Sequence, residues 1–418
     1  MSKIFVANEI NPLRRVLVHR PDNGISRISP KRAEELLFDD IVHLPRMQRE
    51  HDVFTAVLRR FLGEDNVIEM ERLLYEALEA DPVTKQEMID LIVAHEELPK
   101  IYGDRLRELS SEALTELLVT GYHAPDDHFF FDPIPNFIFT RDIAVTVNDH
   151  VIIAKAAKEA RYRENFITRF VIYAHPIFAE LQSQGRVINL NKIDDFPPSK
   201  QGESVSIEGG DMMILNEDYL MIGCSERTTN YGIRALAAKL FERGVVKNVV
   251  EVKIPNDRSY MHVDTLFTQI NTHDYVGFKP IIADGLGSRV TVHRAGGDAA
   301  RYHSVEEFLR AEIDPHTRMI FAGKGKSPYQ DREQWTDGCN LVTLKPGVAL
   351  TYDRNPVTDE AFVEAGYRVV RAEDLLEAFA DGILTADEVK NTIITLPSTE
   401  LSRARGGSHC MTCPIERA

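Results

Sequence analysis

The sequence is short of cysteine, of basic charge and of long apolar runs, and each shortage excludes a class of protein. Four cysteines in 418 residues (Cys224, Cys339, Cys410 and Cys413) are too few for a disulfide scaffold. Lysine and arginine total 49 against 65 acidic residues, a net charge of −16. That balance argues against nucleic acid as a partner and suits a cationic ligand, although acidic surfaces also serve solubility. No apolar run reaches the roughly 18 residues that a membrane span requires. The first residues, Met1-Ser2-Lys3-Ile4-Phe5, show neither the apolar region nor the cleavage site of a secretory signal. A reducing cytoplasm is therefore expected, with no membrane or nucleic-acid partner. What is present is ordinary: 43% apolar and 27% charged residues, enough for a large core and one to three domains.

Arg15 to His19 reads as a short strand. Lys31 to Phe38 and Met47 to Leu62 read as helices, the second stopped by Gly63. Between Arg72 and His123 β-branched patterning fades. Thr84-Lys85-Gln86-Glu87 reads as a capping box, and Ser110 or Ser111 as the cap of a later helix, so a small inserted helical subdomain is expected. From Asp132 onward one plan repeats: an apolar run, a turn, another apolar run. It occurs in Phe137–Ala154, Ser206–Gly223, Met261–Phe278 and Asn340–Tyr352, with turns at Asn148, Asn216, Asn271 and Gly347. The N-terminal strand supplies a possible fifth unit, and Ala283 to Gly325 reads as an elaboration with one helix, Ser304 to Ala311. Recurrence at this spacing points to a radial or repeated architecture in which each unit packs on its neighbours.

Chemistry gathers at matching places in these units. Near the C-terminus, Arg405-Gly406-Gly407-Ser408-His409-Cys410-Met411-Thr412-Cys413-Pro414 presents a thiol in a loop behind two glycines, and Cys410 is the candidate nucleophile. Three hairpins carry acids in or just before the turn-side half of their first strand: Asp142; Glu208 with Asp211; and Asp264 with His262. On an extended strand His262 and Asp264 share a face, so a polar site is expected where core would otherwise sit. Several carboxylates in one pocket want a cation. A metal held by His262, Asp264, Glu208 and Cys410 is one option, although no tight ligand spacing appears. An organic cation is the other, because a planar guanidinium matches paired carboxylates and places its carbon within reach of a thiol, with His262 as general acid and base. The bland readings stand beside these. Cys410 to Cys413 is also a CxxC, Glu208 to Asp211 a hairpin bend, His262 a satisfied core residue, and Asp142 the ion-pair partner of Arg141. Arg161, Arg163 and Arg227 are by default surface charges, and Cys224 and Cys339 small buried apolar groups.

An ordered set of segments resembles bacterial arginine deiminases of the guanidine-modifying superfamily over essentially the whole chain. The set comprises Leu37-Phe38-Asp39-Asp40, Glu50-His51-Asp52, Pro135-Asn136 with Phe139-Thr140-Arg141-Asp142, and Arg161-Tyr162-Arg163-Glu164. It continues with Glu208-Gly209-Gly210-Asp211, Met261-His262-Val263-Asp264-Thr265, Tyr352-Asp353-Arg354-Asn355 and Cys410-Met411-Thr412. The resemblance implies a five-fold pseudo-symmetric α/β propeller (pentein) formed by 1–71 and 124–418, with 72–123 inserted as the helical subdomain. It implies hydrolysis of free L-arginine to L-citrulline and ammonia without metal or cofactor, by a homo-oligomer, dimer or tetramer. By the same resemblance Cys410 is the nucleophile and His262 the general acid and base. Asp142 and Asp264 hold the guanidinium, and Glu208 orients His262. Arg161, Arg227 and Arg405 receive the substrate carboxylate; Asn136, Phe139 and Asp211 line the amino-acid end, and Gly406 contributes backbone. Two departures stand out: His409 precedes the nucleophile where the family commonly has arginine, and Cys339 stands where it has serine. The rivals are agmatine deimination, amidino transfer, citrulline hydrolysis and, in another class, a non-catalytic ribosome-binding factor of the same fold.

Overall fold

Residues 3–38 and 40–418 are described by a computed structural model; Met1, Ser2 and Asp39, the last within the Leu37–Asp40 segment noted above, lie outside the described residues. The chain is α/β, and one unit of sheet construction occurs five times: an antiparallel hairpin followed, after a crossover, by a parallel third strand. Ala144–Val147 pairs with His150–Ile153, which pairs with Val187–Asn189. Met212–Asn216, Tyr219–Cys224 and Asn248–Lys253 repeat the order. So do Phe267–Gln269, Asp274–Gly277 and Arg318–Phe321, and so do Val342–Lys345, Val348–Tyr352 and Thr392–Leu396. The fifth unit joins the chain's two ends: Cys413–Arg417 is antiparallel to Leu13–Val18, which then runs parallel to Val67–Glu69. Asn148 shows why the turn residues matter. It takes φ 49°, a left-handed conformation that asparagine tolerates better than most side chains.

Helices fill the crossovers because their apolar stripes cover sheet faces. Asn230–Glu242 buries Ile233, Leu236 and Leu240 against Met212, Ile214, Leu220 and Ile222, and each such side chain contributes about 1.5–3 kcal/mol. Leu44–Leu62 does the same with Met47, Phe54, Val57 and Leu58, and ends at Gly63 with φ 91°. Between residues 72 and 123 lie Pro82–His95, Lys100–Glu108, Ser111–Thr120 and most of Met70–Ala80. Their buried side chains, including Leu73, Ile92 and Leu117, share one core with Ile143 and Ile153 of the first sheet unit and Ile167 of its crossover helix.

Several local expectations are corrected. Lys31 to Phe38 is a coil of turns, not a helix; Leu37 takes φ 58°, and the Leu36 carbonyl is held by Asn136 Nδ2 at 2.7 Å. The capping box at Thr84 does not form. Asp81 caps Pro82–His95, accepting from Val83 N and Thr84 N at 3.2 and 3.0 Å, and Thr84 donates its hydroxyl back to it at 2.6 Å. The expected helix at Ser304 to Ala311 is a single α-turn, Val305–Phe308, continued by a π-turn. Its neighbourhood contributes two strands, Arg289–Arg294 and Ala300–Tyr302, that widen the second hairpin's sheet to five strands.

Candidate active site

The chemical side chains come from the turns that lead into each hairpin, not from the strands. The first strands begin later than the apolar patterning suggests, and short 3-10 turns fill the gap: Pro135–Ile138, Gly209–Asp211 and Val263–Thr265. His262 and Asp264 therefore do not share a strand face. His262 flanks its turn in extended conformation, and Asp264 sits inside it. The five turns are hydrogen-bonded in a chain that returns to its start. Asp142 Oδ1 accepts from Gly210 N at 3.0 Å and Asp211 Oδ1 from Val263 N at 2.9 Å. The Asp264 carbonyl accepts from Asn340 Nδ2 at 3.0 Å, Asn340 Oδ1 from Cys410 N at 3.2 Å, and the Cys410 carbonyl from Arg141 N at 3.0 Å. Gly210 is required here, since a Cβ would lie 2.6 Å from His262 Nδ1.

The turns surround a cavity of ≈ 640 Å³, lined by Asn136, Phe139, Asp142, His262 and Cys410, with Arg161, Arg227 and Arg405 also on its wall. Glu208 and Asp264 are fully buried behind it. Asp211 and Gly406, expected at the substrate, are not on the wall. Asp211 instead holds the Val263 backbone and Ser225 Oγ, at 2.5 Å for the latter, and so fixes the His262 turn. Gly406 lies under the Phe139 ring, and its carbonyl accepts from Tyr352 Oη at 2.7 Å.

Charge distribution decides protonation. Glu208 Oε2 stands 3.0 Å from His262 Nε2, and Asp142 Oδ1 3.6 Å from Nδ1. Burial alone disfavours the imidazolium, but Asp142, the Glu208 hydrogen bond and Asp211 outweigh it and raise the pKa to about 10. Glu208 is held below the usual range: burial opposes ionisation, and His262 and Arg161 more than offset it. Cys410 Sγ is 3.4 Å from Asp264 Oδ2 and 3.2 Å from Asn340 Nδ2. Burial, then Asp264 and Asp142, push that thiol well above its ordinary pKa. Asp264 itself stays low: burial works against its charge, and the hydrogen bond from His409 Nδ1 at 2.8 Å prevails. His409 also faces Glu9 Oε2 at 3.6 Å, so the departure from the family pattern lies in a buried charged layer behind Asp264.

The arginines are not surface charges; Arg161, Arg163 and Arg227 are all buried. Arg161 is engaged with acids, Nη1 at 2.6 Å from Asp142 Oδ2 and 3.3 Å from Glu208 Oε2, and Nη2 at 2.8 Å from Glu164. Arg163 reaches back to the helical stretch and pairs with Glu96 at 2.7 Å. Arg405 stacks on the Trp335 ring at 3.4 Å. Asp142, pairing with Arg161, leaves Arg141 to Glu9 at 3.5 Å. Ligand atoms of Asp142, Glu208 and His262 lie close enough together to hold a metal ion. The fit is poor, because Arg161 already supplies a cation to both carboxylates and His262 is protonated through neutral pH. Sequence reasoning gave no role to Glu164, Trp335, Asn340 or Asp337, the buried acid beside Arg405 that accepts from the Gly406 backbone. Asn340 had a signal: it precedes its hairpin as Asp142, Asp211 and Asp264 precede theirs.

Comparison with known proteins agrees with this geometry. A family model described as Arginine deiminase matches residues 34–123 and 101–417. Arginine deiminase of Bacillus thuringiensis subsp. konkukian is 34% identical over 446 aligned residues, covering 99% of this chain and 98% of that protein. Arginine deiminase of Limosilactobacillus fermentum is 33% identical, covering 100% and 99%. Among solved structures, inosamine-phosphate amidinotransferase StrB1 of Streptomyces griseus matches with TM-score 0.52 at 14% identity, covering 100% of this chain and 98% of that one. The N-terminal domain of ArgZ, a cyanobacterial arginine dihydrolase, matches with TM-score 0.52 at 13% identity, covering 96% and 97%. Those two likenesses bear on the fold alone. The family match and the near full-length relatives establish that this chain belongs to the arginine deiminase family and is an enzyme acting on a guanidino C–N bond.

Proposed function

We propose that the site hydrolyses free L-arginine to L-citrulline and ammonia, with Cys410 as nucleophile and His262 as general acid and base. One observation carries the reading. The sulfur lies 3.4 Å from Asp264 Oδ2, and Asp264 Oδ1 is buried with no hydrogen-bond partner among the described residues. A guanidinium donating to that carboxylate would bring its planar carbon to the thiol. The bound cation favours loss of the thiol proton to solvent. The thiolate then attacks the guanidinium carbon, and the His262 imidazolium gives its proton to the departing nitrogen, which leaves as ammonia. The resulting S-alkylthiouronium is attacked by water that passes a proton to His262. The C–S bond breaks, the sulfur regains a proton, and citrulline departs. No metal or cofactor enters these steps.

Glu208 and Asp142 keep His262 charged; Asp142 and Asp264 hold the substrate head group. Arg227 and Arg405 receive the carboxylate, which agmatine lacks, while Arg161 ties Asp142 to Glu208 and Glu164. Asn136 and Phe139 border the amino-acid end. The closed ring of hydrogen bonds through five turns supports a five-fold propeller of 1–71 and 124–418, with 72–123 inserted. The family resemblance is the ground for a homo-oligomer, dimer or tetramer. Four free cysteines suit a cytoplasmic setting, and among the described residues no helix is long and apolar enough to cross a membrane. Incubation with L-arginine, agmatine and L-citrulline tests the reading. Ammonia and citrulline should form from L-arginine alone, and Cys410→Ser should abolish both. Preference for agmatine, or no turnover of any guanidine, would overturn it.

A further inference from the structure

Asn340 is wholly buried and all of its side-chain hydrogen-bonding capacity is used. Its Oδ1 accepts from His409 N at 3.1 Å and from Cys410 N at 3.2 Å. Its Nδ2 donates to the Asp264 carbonyl at 3.0 Å and to Cys410 Sγ at 3.2 Å. This network fixes which end of the amide faces the sulfur. Turned over, the amide would set an NH₂ against two backbone N–H groups and an oxygen against a carbonyl. The double glycine before the nucleophile makes room for the approach, since a Cβ at Gly407 would lie 2.6 Å from Asn340 Oδ1. Among the described residues the other hydrogen-bond partner of the sulfur is the Asp264 carboxylate, which accepts a hydrogen bond from a thiol and repels a thiolate. The Asn340 N–H contact is the one that strengthens as negative charge develops on sulfur.

We propose that Asn340 is a further catalytic residue, its amide carrying the sulfur of Cys410 through the anionic state that precedes attack and follows C–S cleavage. The proposal rests on Cys410 being the nucleophile, but its test needs no substrate turnover. Alkylation of Cys410 by iodoacetamide, followed peptide by peptide between pH 7 and 10, reports thiolate directly. Asn340→Asp keeps an oxygen for the two backbone N–H groups and removes the donor. It should slow alkylation at fixed pH by at least about ten-fold, as expected for losing a hydrogen bond to a charged group. Asn340→Ser, too short to reach the sulfur, should slow it to a similar degree. A rate within about two-fold of wild type in either folded variant would overturn the proposal, because a purely structural anchor would leave the sulfur's acidity unmoved. If neither variant folds, wild-type protein with ¹⁵N-labelled asparagine decides. The Asn340 side-chain resonance should follow Cys410 ionisation, and a flat response would refute the assignment. A negative deiminase assay with normal alkylation differences would count against the L-arginine reading and leave Asn340 in place.

Discussion

At Cys410 the difficulty is the sign of the surroundings. A buried thiol facing Asp264 and Asp142 is a poor source of thiolate, and its pKa stands well above the ordinary value. Only a cation in the cavity reverses this, because it neutralises the acids that oppose the negative sulfur. Thiolate absorbance titrated with and without a non-reactive guanidine should show ionisation at markedly lower pH when the ligand is bound. A low pKa that ignores the ligand would refute substrate-assisted ionisation. His262 and the acids were readable as chemistry because each is out of place in an apolar strand pattern, and the thiol because it stands in a loop behind two glycines. The buried state of Arg161 and Arg227 was not. An arginine is a surface residue by default, and only acids that the fold brings beside it from the turns before the hairpins, Asp142 and Glu208, make its burial tolerable.

Turn chemistry made the hairpins legible and left their first strands too long. Asn148, Asn216 and Gly347 mark chain reversals that local conformational preference already signals, whereas the switch from 3-10 turn to strand before Ala144 or Met212 depends on bonds between units. The same contrast explains Lys31 to Phe38. Its residues suit a helix, but Arg32 is bound by Asp132 and the Leu36 carbonyl by Asn136, contacts that no local pattern contains. Helix ends give a sharp test of local reading against observed geometry. Asp81→Ala should lower the melting temperature, while Glu87→Ala, at an exposed position without a capping role, should leave it unchanged. Ser110→Ala, which removes the acceptor for Ala113 N at 3.2 Å, should cost about 1 kcal/mol in chemical denaturation. Equal effects for Asp81→Ala and Glu87→Ala would restore the capping box.

Across the whole molecule, burial of so many titratable groups around one cavity ties folding to pH with a definite sign. Glu164 and Asp337 are raised to about 7 and Asp211 to about 6, in each case chiefly by burial. His262 is raised to about 10 despite burial, by its acidic neighbours. A raised folded-state pKa means that the folded chain binds more protons than the unfolded chain, so each contribution is complete below the unfolded value and fades as pH climbs. For the three carboxylates that window runs from about 4 up to about 7. For the imidazole it runs from about 6.5 to its folded value. Self-repulsion of a chain carrying −16 grows in the same direction. Opposing them, Glu208 and Glu9 are held low by cationic neighbours, and their contributions vanish only as pH falls below about 4.5. The two sets cross on the acid side of neutrality. The melting temperature should therefore peak near pH 5–6 and fall by several degrees by about pH 8.5. Glu164→Gln, by taking one raised carboxylate out of the balance, should flatten the slope between pH 5 and 7. A melting temperature that is constant or rising from pH 6 to 8.5 would mean that Glu164, Asp337 and Asp211 are not held protonated by burial.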